Sequence, residues 1–330
     1  MSDPPARPAL PDYDDLPVTP GAPPGSSWGL WGEHDVLGCL NLLGPDQVRR
    51  GLACARGGVV FSLNLELGLP DPPLFGREAF VHKVSWLDHD AGHDDELSGW
   101  NTQSSSQWDG FRHIRHPEHG FYGGVDDDEH GVDHWARRGI VGRAVLADVG
   151  RWREEQGRPL RMDDADPIEP SDLEATLAAQ GVVVEPGDIL LIRTGWVTWY
   201  RSLDQVGRRG LAGDLHSPGL RPGLDTARML WDLHIAAVAA DNPALEVWPP
   251  GALATPGQIE EILAKPARLP ELFVHTSLLP LLGLPIGELW DLDALAEDCA
   301  SDGNYYACLT SAALNLKSGV ASPPNALAIK

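Results

Sequence analysis

Three apolar runs constrain this chain most: Ile140-Val-Gly-Arg-Ala-Val-Leu-Ala-Asp148, Asp188-Ile-Leu-Leu-Ile-Arg-Thr194 and Ile235-Ala-Ala-Val-Ala-Ala-Asp241. Strands that are apolar almost throughout are those buried on both faces, which requires helices on both sides of their sheet. Helical text lies between the runs. Residues 171–180 open on a Ser-x-x-Glu capping box and stop at Gly181, and residues 226–234 read as a second helix. Helices between strands make this an α/β pattern, and the alternation alone fits a curled sheet or a doubly wound one.

The remaining text supplies the flanks. Residues 44–57 read as a short helix started by Pro45 and stopped by Gly57, and residues 59–67 and 79–86 as strands. Residues 87–99, dense in His and Asp, read as a loop, either exposed or on the rim of a site. His89, His93, Asp94 and Asp95 have no element there to space them for a metal. Helices are expected over 258–264, 270–282 and part of 289–300, and an apolar strand-like run opens the tail at 305. Residues 1–27, rich in Pro, Gly and Asp, are expected to form a flexible N-terminal arm, loose or laid across the body or a neighbouring subunit. Residues 28–330 show no repeat and no linker, which points to one domain.

Charge and cysteine usage exclude several classes. With 25 basic against 48 acidic residues the net charge is −23, which repels phosphate backbones and anionic membranes, so no nucleic acid is expected as partner. Cys39, Cys54, Cys299 and Cys308 form no C-x-x-C pair, which argues against a thiolate zinc site and for a reducing, cytoplasmic setting. No run approaches the ~20 apolar residues of a membrane span, and the N-terminus lacks the pattern of a signal peptide.

The chemistry concentrates in Asn101-Thr-Gln-Ser-Ser-Ser-Gln-Trp-Asp-Gly-Phe-Arg-His113, polar at every second position. An extended segment would place Gln103, Ser105, Gln107, Asp109 and His113 on one face. A hard carboxylate, two amide oxygens and an imidazole suit a divalent cation with its water, and they equally suit a hydrogen-bonded polar strand face. Downstream, His275-Thr-Ser-Leu-Leu-Pro-Leu-Leu-Gly-Leu-Pro-Ile-Gly-Glu288 joins a helix histidine to a glutamate after a turn. Ala240-Asp-Asn-Pro-Ala-Leu-Glu246 follows the third apolar run, where open α/β sheets bind ligands, so Asp241 and Asn242 are candidate substrate contacts. Twelve tryptophans are many for this length. Trp28, Trp31, Trp86, Trp100 and Trp108 cluster in sequence near the site, and Trp28, Trp31, Trp86 and Trp108 are candidate substrate contacts suited to a flat aromatic or polyketide-like molecule.

These segments resemble the metal-dependent cyclase family that includes bacterial kynurenine formamidase and isatin hydrolase, in a branch marked by Gln-Trp-Asp-Gly. The resemblance runs over residues 28–329 and includes Trp28-Gly-Leu-Trp-Gly, Leu40-Asn-Leu-Leu-Gly-Pro, Gln103 to His113, Gly139-Ile-Val-Gly-Arg, Gly187-Asp-Ile-Leu-Leu-Ile-Arg-Thr-Gly-Trp, His275 to Glu288 and Ser322-Pro-Pro-Asn-Ala-Leu-Ala. The family hallmark is His-x-Gly-Thr-His-x-Asp-x-Pro-x-His. Its first two histidines fall on Gln103 and Gln107, its aspartate on Asp109, its proline on Phe111 and its last histidine on His113.

The resemblance implies a single α/β domain with a mixed, curled β-sheet, barrel-like and flanked by helices. It also implies a metal site of Asp109, His275 and Glu288, with Gln103 and Gln107 as further ligands or as residues that orient them, and Asp109 and His113 in the catalytic role. Amides in place of two imidazoles favour Mn²⁺ or Mg²⁺ over Zn²⁺. The implied reaction is hydrolysis of a cyclic amide, lactone or formamide by activated water with His113 as acid/base, on a small-molecule substrate and in a homo-oligomer, dimer or tetramer. His82, His116 and His119 are spare candidates. A metal-free cyclase or dehydratase acting on a polyketide-like intermediate, and a non-catalytic binding protein on the same fold, are the alternatives.

Overall fold

A computed structural model of the chain describes residues 10–88, 91–125 and 127–330. Its strands in chain order are β1 (Val60–Ser62), β2 (Val81–Trp86), β3 (His93–Ser98), β4 (Gln107–Asp109), β5 (Ile140–Asp148), β6 (Pro167–Ile168) and β7 (Ile189–Arg193). They continue with β8 (Gly219–Leu220), β9 (Ala237–Ala240), β10 (Ile286–Glu288), β11 (Tyr306–Ser311), β12 (Ala321–Ser322) and β13 (Leu327–Ile329).

The three apolar runs become the neighbours β5, β7 and β9, parallel to one another, with β10 parallel on the far side of β9. Antiparallel strands extend both flanks, giving one nine-stranded sheet in the order β1-β13-β11-β5-β7-β9-β10-β4-β12, curled into a half-barrel with helices against it. The mixed, curled sheet is therefore the architecture, and the doubly wound alternative is set aside. Val145, Leu190, Leu191, Val238 and Ala239 are fully buried, as strands covered on both faces must be. The helix Pro45–Leu52 lies directly on β5, where a Cβ on Gly51 would come within 2.5 Å of the Gly142 backbone. Glycine there permits the close approach.

Several local expectations shift. The helix at residues 171–180 begins one residue earlier, at Pro170, and its capping box is Glu169 with Asp172 rather than Ser171 with Glu174. Proline at the first helical position sets that register. The expected helix over 270–282 is a 3₁₀ stretch, Pro266–Glu271, and a single turn, His275–Leu278, because Pro270 and Pro280 interrupt the backbone ladder. The expected loop at 87–99 contains β3, paired antiparallel with β2 from Val81↔Ser98 to Trp86↔His93. Lys83 opposite Glu96, and His82 Nε2 at 3.0 Å from Asp95 Oδ2, are the cross-strand pairs that favour the ribbon over a loop.

The described part of the arm, from residue 10, lies across the body of its own chain. Tyr13 N–H donates to Asp232 Oδ1 at 2.7 Å, Trp231 Nε1–H to the Pro11 carbonyl at 2.9 Å, and Arg228 pairs with Asp14. Among the described residues no helix is long and apolar enough to cross a membrane.

Candidate active site

The stretch Gln103 to His113 is extended only over β4. Residues 102–106 are turns and bends, and the chain turns again after Gly110. Within β4 the period-two rule holds. Gln107 and Asp109 share one face, and Trp108 goes to the other, where it meets Trp290 edge-on at 4.7 Å. Gln103 and His113 reach the site from the flanking turns instead. Ser105 does not, since its hydroxyl donates to the Glu66 carbonyl.

Strand β10 lies beside β4 with Glu288 opposite Gln107. Gly287 makes this approach possible, because a Cβ there would sit 2.6 Å from the Ala239 side chain and 2.7 Å from Trp290 Nε1. His275, on the one-turn helix that precedes β10, completes a buried trio in which ligand atoms of Asp109, His275 and Glu288 lie within 4.8 Å of one another. His275 Nε2 is 3.2 Å from Glu288 Oε1 and 3.9 Å from Asp109 Oδ2. Its Nδ1 is 2.8 Å from Glu246 Oε2, so a buried carboxylate fixes the ring and aims Nε2 at the other two acids.

The glutamines face this trio with their amide nitrogens. Gln107 Nε2 donates to Glu288 Oε2 at 2.7 Å and lies 3.3 Å from Asp109 Oδ1. Gln103 Nε2 donates to Asp109 Oδ1 at 2.6 Å and to His113 Nδ1 at 3.0 Å. In this arrangement both amides orient the acids rather than offer a ligand oxygen, the second of the two roles expected of them. Gln107 Oε1 is left buried with no partner.

Burial pushes the Glu288 carboxyl up to about 8, with the Asp109 charge adding to the effect. For His275 burial acts against the charge, but Glu246 and Glu288 outweigh it and hold the imidazole well above its usual range. For His113 burial dominates over the pull of Asp109, so its pKa is lowered and the ring is neutral near pH 7.

Beside the trio opens a cavity of ≈ 270 Å³ lined by Phe75, Arg77, His113, Trp248, Phe273 and His275. None of its aromatic residues is among the expected contacts. Trp86 stands 64% exposed on the β2–β3 ribbon, and Trp108 is in the core. Trp28 donates from Nε1 to the Pro280 carbonyl at 2.7 Å and lines a different cavity, with Asp35 and Tyr122. Trp31 packs against Trp231.

Asp241 and Asn242 do follow β9, but both are buried and bound within the protein. Asp241 accepts from Thr194 N–H and Oγ1–H at 2.7 Å and from Gly195 N–H at 2.8 Å. Asn242 donates to the Pro218 carbonyl at 2.8 Å and the Leu245 carbonyl at 3.2 Å. Their substrate role is corrected to a structural one.

The spare histidines lie elsewhere. His82 belongs to the ribbon, His93, Asp94 and Asp95 are strung along β3, and His89 lies outside the described residues. His116, Glu118 and His119 also bring ligand atoms within 4.8 Å, but His116 Nδ1 already accepts the N–H groups of Glu118 and His119. Two residues that the fold brings to the site, Glu246 and Arg77, were given no role in the reading of the sequence. Glu246 had a signal, an acid set between Leu245 and Val247 in apolar text. Arg77 had none.

The family described as "Putative cyclase" matches residues 61–247. A solved structure described as a novel cyclase is 30% identical, with 92% of this chain and 99% of that chain covered and a TM-score of 0.77. The chain belongs to the cyclase family, as the Gln-Trp-Asp-Gly segment and its companions implied. Isatin hydrolase A from Labrenzia aggregata, bound to benzyl benzoate, is 19% identical over 86% of this chain and 97% of its own, with a TM-score of 0.58. An isatin hydrolase bound to the product analogue thioisatinate is 16% identical over 82% of this chain and 91% of its own, with a TM-score of 0.55. These two share the fold. No curated protein matches the chain.

Proposed function

We propose that the chain is a hydrolase of the cyclase family that opens a cyclic amide, lactone or formamide with the help of a divalent cation held by Asp109, His275 and Glu288. The observation that carries this reading is the buried trio itself. Two acids converge on an imidazole whose far nitrogen is pinned by Glu246, a buried set of oxygen and nitrogen donors spaced to hold a divalent cation. The unpartnered Gln107 Oε1 adds to the fit, because a half-turn of that amide offers a ligand oxygen where it now offers a nitrogen. Carboxylate and amide oxygens with one nitrogen suit Mn²⁺ or Mg²⁺ better than Zn²⁺.

Such a cation, when bound, supplies Lewis acidity toward a carbonyl and lowers the pKa of water. His113, neutral and lining the cavity, is placed to exchange a proton with water and leaving group, worth ~10²- to 10⁴-fold. Its tautomer follows Gln103. With the amide nitrogen at Nδ1 the ring proton sits on Nε2; with the amide oxygen there Nδ1 keeps the proton and Nε2 becomes the base. The half-turn that makes Gln103 a ligand is thus the one that makes His113 basic.

The aromatic cavity walls, and the isatin hydrolases among the structural neighbours, support a flat cyclic or aromatic substrate. Turnover of a panel of aromatic formamides, lactams and lactones, with and without chelator and then with Mn²⁺, Mg²⁺ or Zn²⁺ restored, tests the reading. Activity indifferent to chelator would overturn it in favour of a metal-free cyclase or dehydratase. That second reading draws support from a Glu288 carboxyl that burial pushes up to about 8, and so can carry a proton in the site.

In the same reading the protein works in the cytoplasm as a homo-oligomer, closing on the β2–β3 ribbon, where Val81, Val84 and Trp86 are 63%, 57% and 64% exposed. Light scattering that finds wild type and Trp86→Ser both monomeric would count against that assembly.

A further inference from the structure

We propose that Arg77 recognises an anionic group on the substrate, so that the cavity takes a flat aromatic ring bearing a carboxylate. This rests on reading the cavity beside Asp109, His275 and Glu288 as the substrate site. Its walls are aromatic. Phe75 and Trp248 meet edge-on at 4.9 Å and 81°, Phe273 lies parallel to His275 at 4.5 Å and 6°, and Trp248 stands at 77° to Phe273. These rings pack on one another, and a planar guest laid in the cavity against them gains both area and ring–ring contact.

Arg77 is the one arginine or lysine on this wall. Its guanidinium sits 4.9 Å from the centre of the Phe75 ring, and its Nη1–H donates to the Gln103 carbonyl. Among the described residues that is the only acceptor it bonds, although a guanidinium carries five N–H donors. The charges of Glu288 and Asp109 act on it, yet neither forms an ion pair with it. Elsewhere the well-buried arginines are filled by carboxylates. Arg153 pairs with Asp166 and Asp172, Arg143 with Glu185 and Asp188, and Arg193 with Asp148 and Asp293. A guanidinium held by one backbone oxygen, stacked on an aromatic face and turned into a cavity is a preformed fork for a planar anion. A monoanionic carboxylate fits better than a phosphate, since Asp109, Glu246 and Glu288 nearby oppose a second negative charge.

Calorimetric titration of the purified protein with benzoate and with its neutral counterpart benzamide tests this. Benzoate is expected to bind roughly 10- to 100-fold more tightly, the range of one charge-assisted hydrogen-bonded pair. Arg77→Met should erase that preference while leaving benzamide binding in place, Arg77→Lys should keep part of it, and Phe75→Leu should weaken both probes alike. A benzoate preference that survives in Arg77→Met would overturn the proposal, because the anion would then be held elsewhere, as by a cation on Asp109. So would equal binding of the two probes by the wild type, or no binding of either. The readout needs no turnover, so chelator-indifferent hydrolysis would overturn the proposed reaction without touching this result, and the reverse also holds.

Discussion

Arg193 and Arg77 are both withdrawn from solvent and both face acids, and they differ in how far those acids fill them. Arg193, at the end of β7, donates to Asp293 at 2.9 Å and to Asp148 at 3.0 Å, with the charge of Asp241 close behind. Burial works against its charge, but those acids outweigh burial and hold its pKa above the ordinary range. Arg77 is bonded only to a backbone carbonyl, and burial lowers its pKa against the distant pull of Glu288 and Asp109. The acids divide in the same way. Asp241 receives three donors from the turn after β7, whereas Asp109 and Glu288 share amide nitrogens and raise each other's cost. A filled cluster specifies the fold. An underfilled one stores charge for something else to satisfy.

The largest effect that can break this contrast is on chemistry. Asp109→Asn is expected to lower hydrolytic turnover by ~10³-fold or more while the protein stays folded, read by kinetics beside circular dichroism. Loss of fold instead would place Asp109 with the structural acids. Next, Arg193→Met should cost about 3–5 kcal/mol in chemical denaturation, because it strands buried carboxylates. A cost under about 1 kcal/mol would mean that the filled cluster is not what holds the ends of β5 and β7.

The third effect is a slope with pH. Burial pushes the Asp241 carboxyl up to about 6 against the pull of Arg193 and the Thr194 donors, so the folded state holds its proton more tightly than the unfolded chain does. Its contribution is full below the unfolded value near 3.8 and is lost as pH rises through about 6, at ~1.4 kcal/mol per pH unit at most. Wild-type stability relative to Asp241→Asn should therefore fall across that window and level off above it. A difference that rises with pH there would reverse the assignment. The smallest effect sharpens the other side: Arg77→Met should change stability by no more than ~1 kcal/mol, because its donors face a cavity.

The sheet was legible because β5, β7 and β9 carry their burial in their own letters. The site was legible in part, since Gln107 and Asp109 follow the period of a strand that the chain does adopt. Nearness in sequence misled where it was taken for nearness in space. Trp108 lies between two site residues and, by the same period, points away from them. Asp241 and Asn242 sit where an open sheet would bind a ligand, but both are buried, the Asp241 carboxylate taken by Thr194 and Gly195 and the Asn242 amide nitrogen by Pro218 and Leu245. Gln103 reaches Asp109 through a turn, Glu246 reaches His275 across 29 positions, and Arg77 comes from a stretch with no period at all. Such contacts belong to the tertiary fold, and no local pattern encodes them.

The central claim is that Asp109, His275 and Glu288 hold a divalent cation, and metal analysis by mass spectrometry of gently purified wild type, Asp109→Asn and His275→Ala tests it most directly. The expected result is close to one divalent ion per chain in the wild type and a large loss in both variants. A wild type that carries no more metal than the variants, at undiminished turnover, would contradict it.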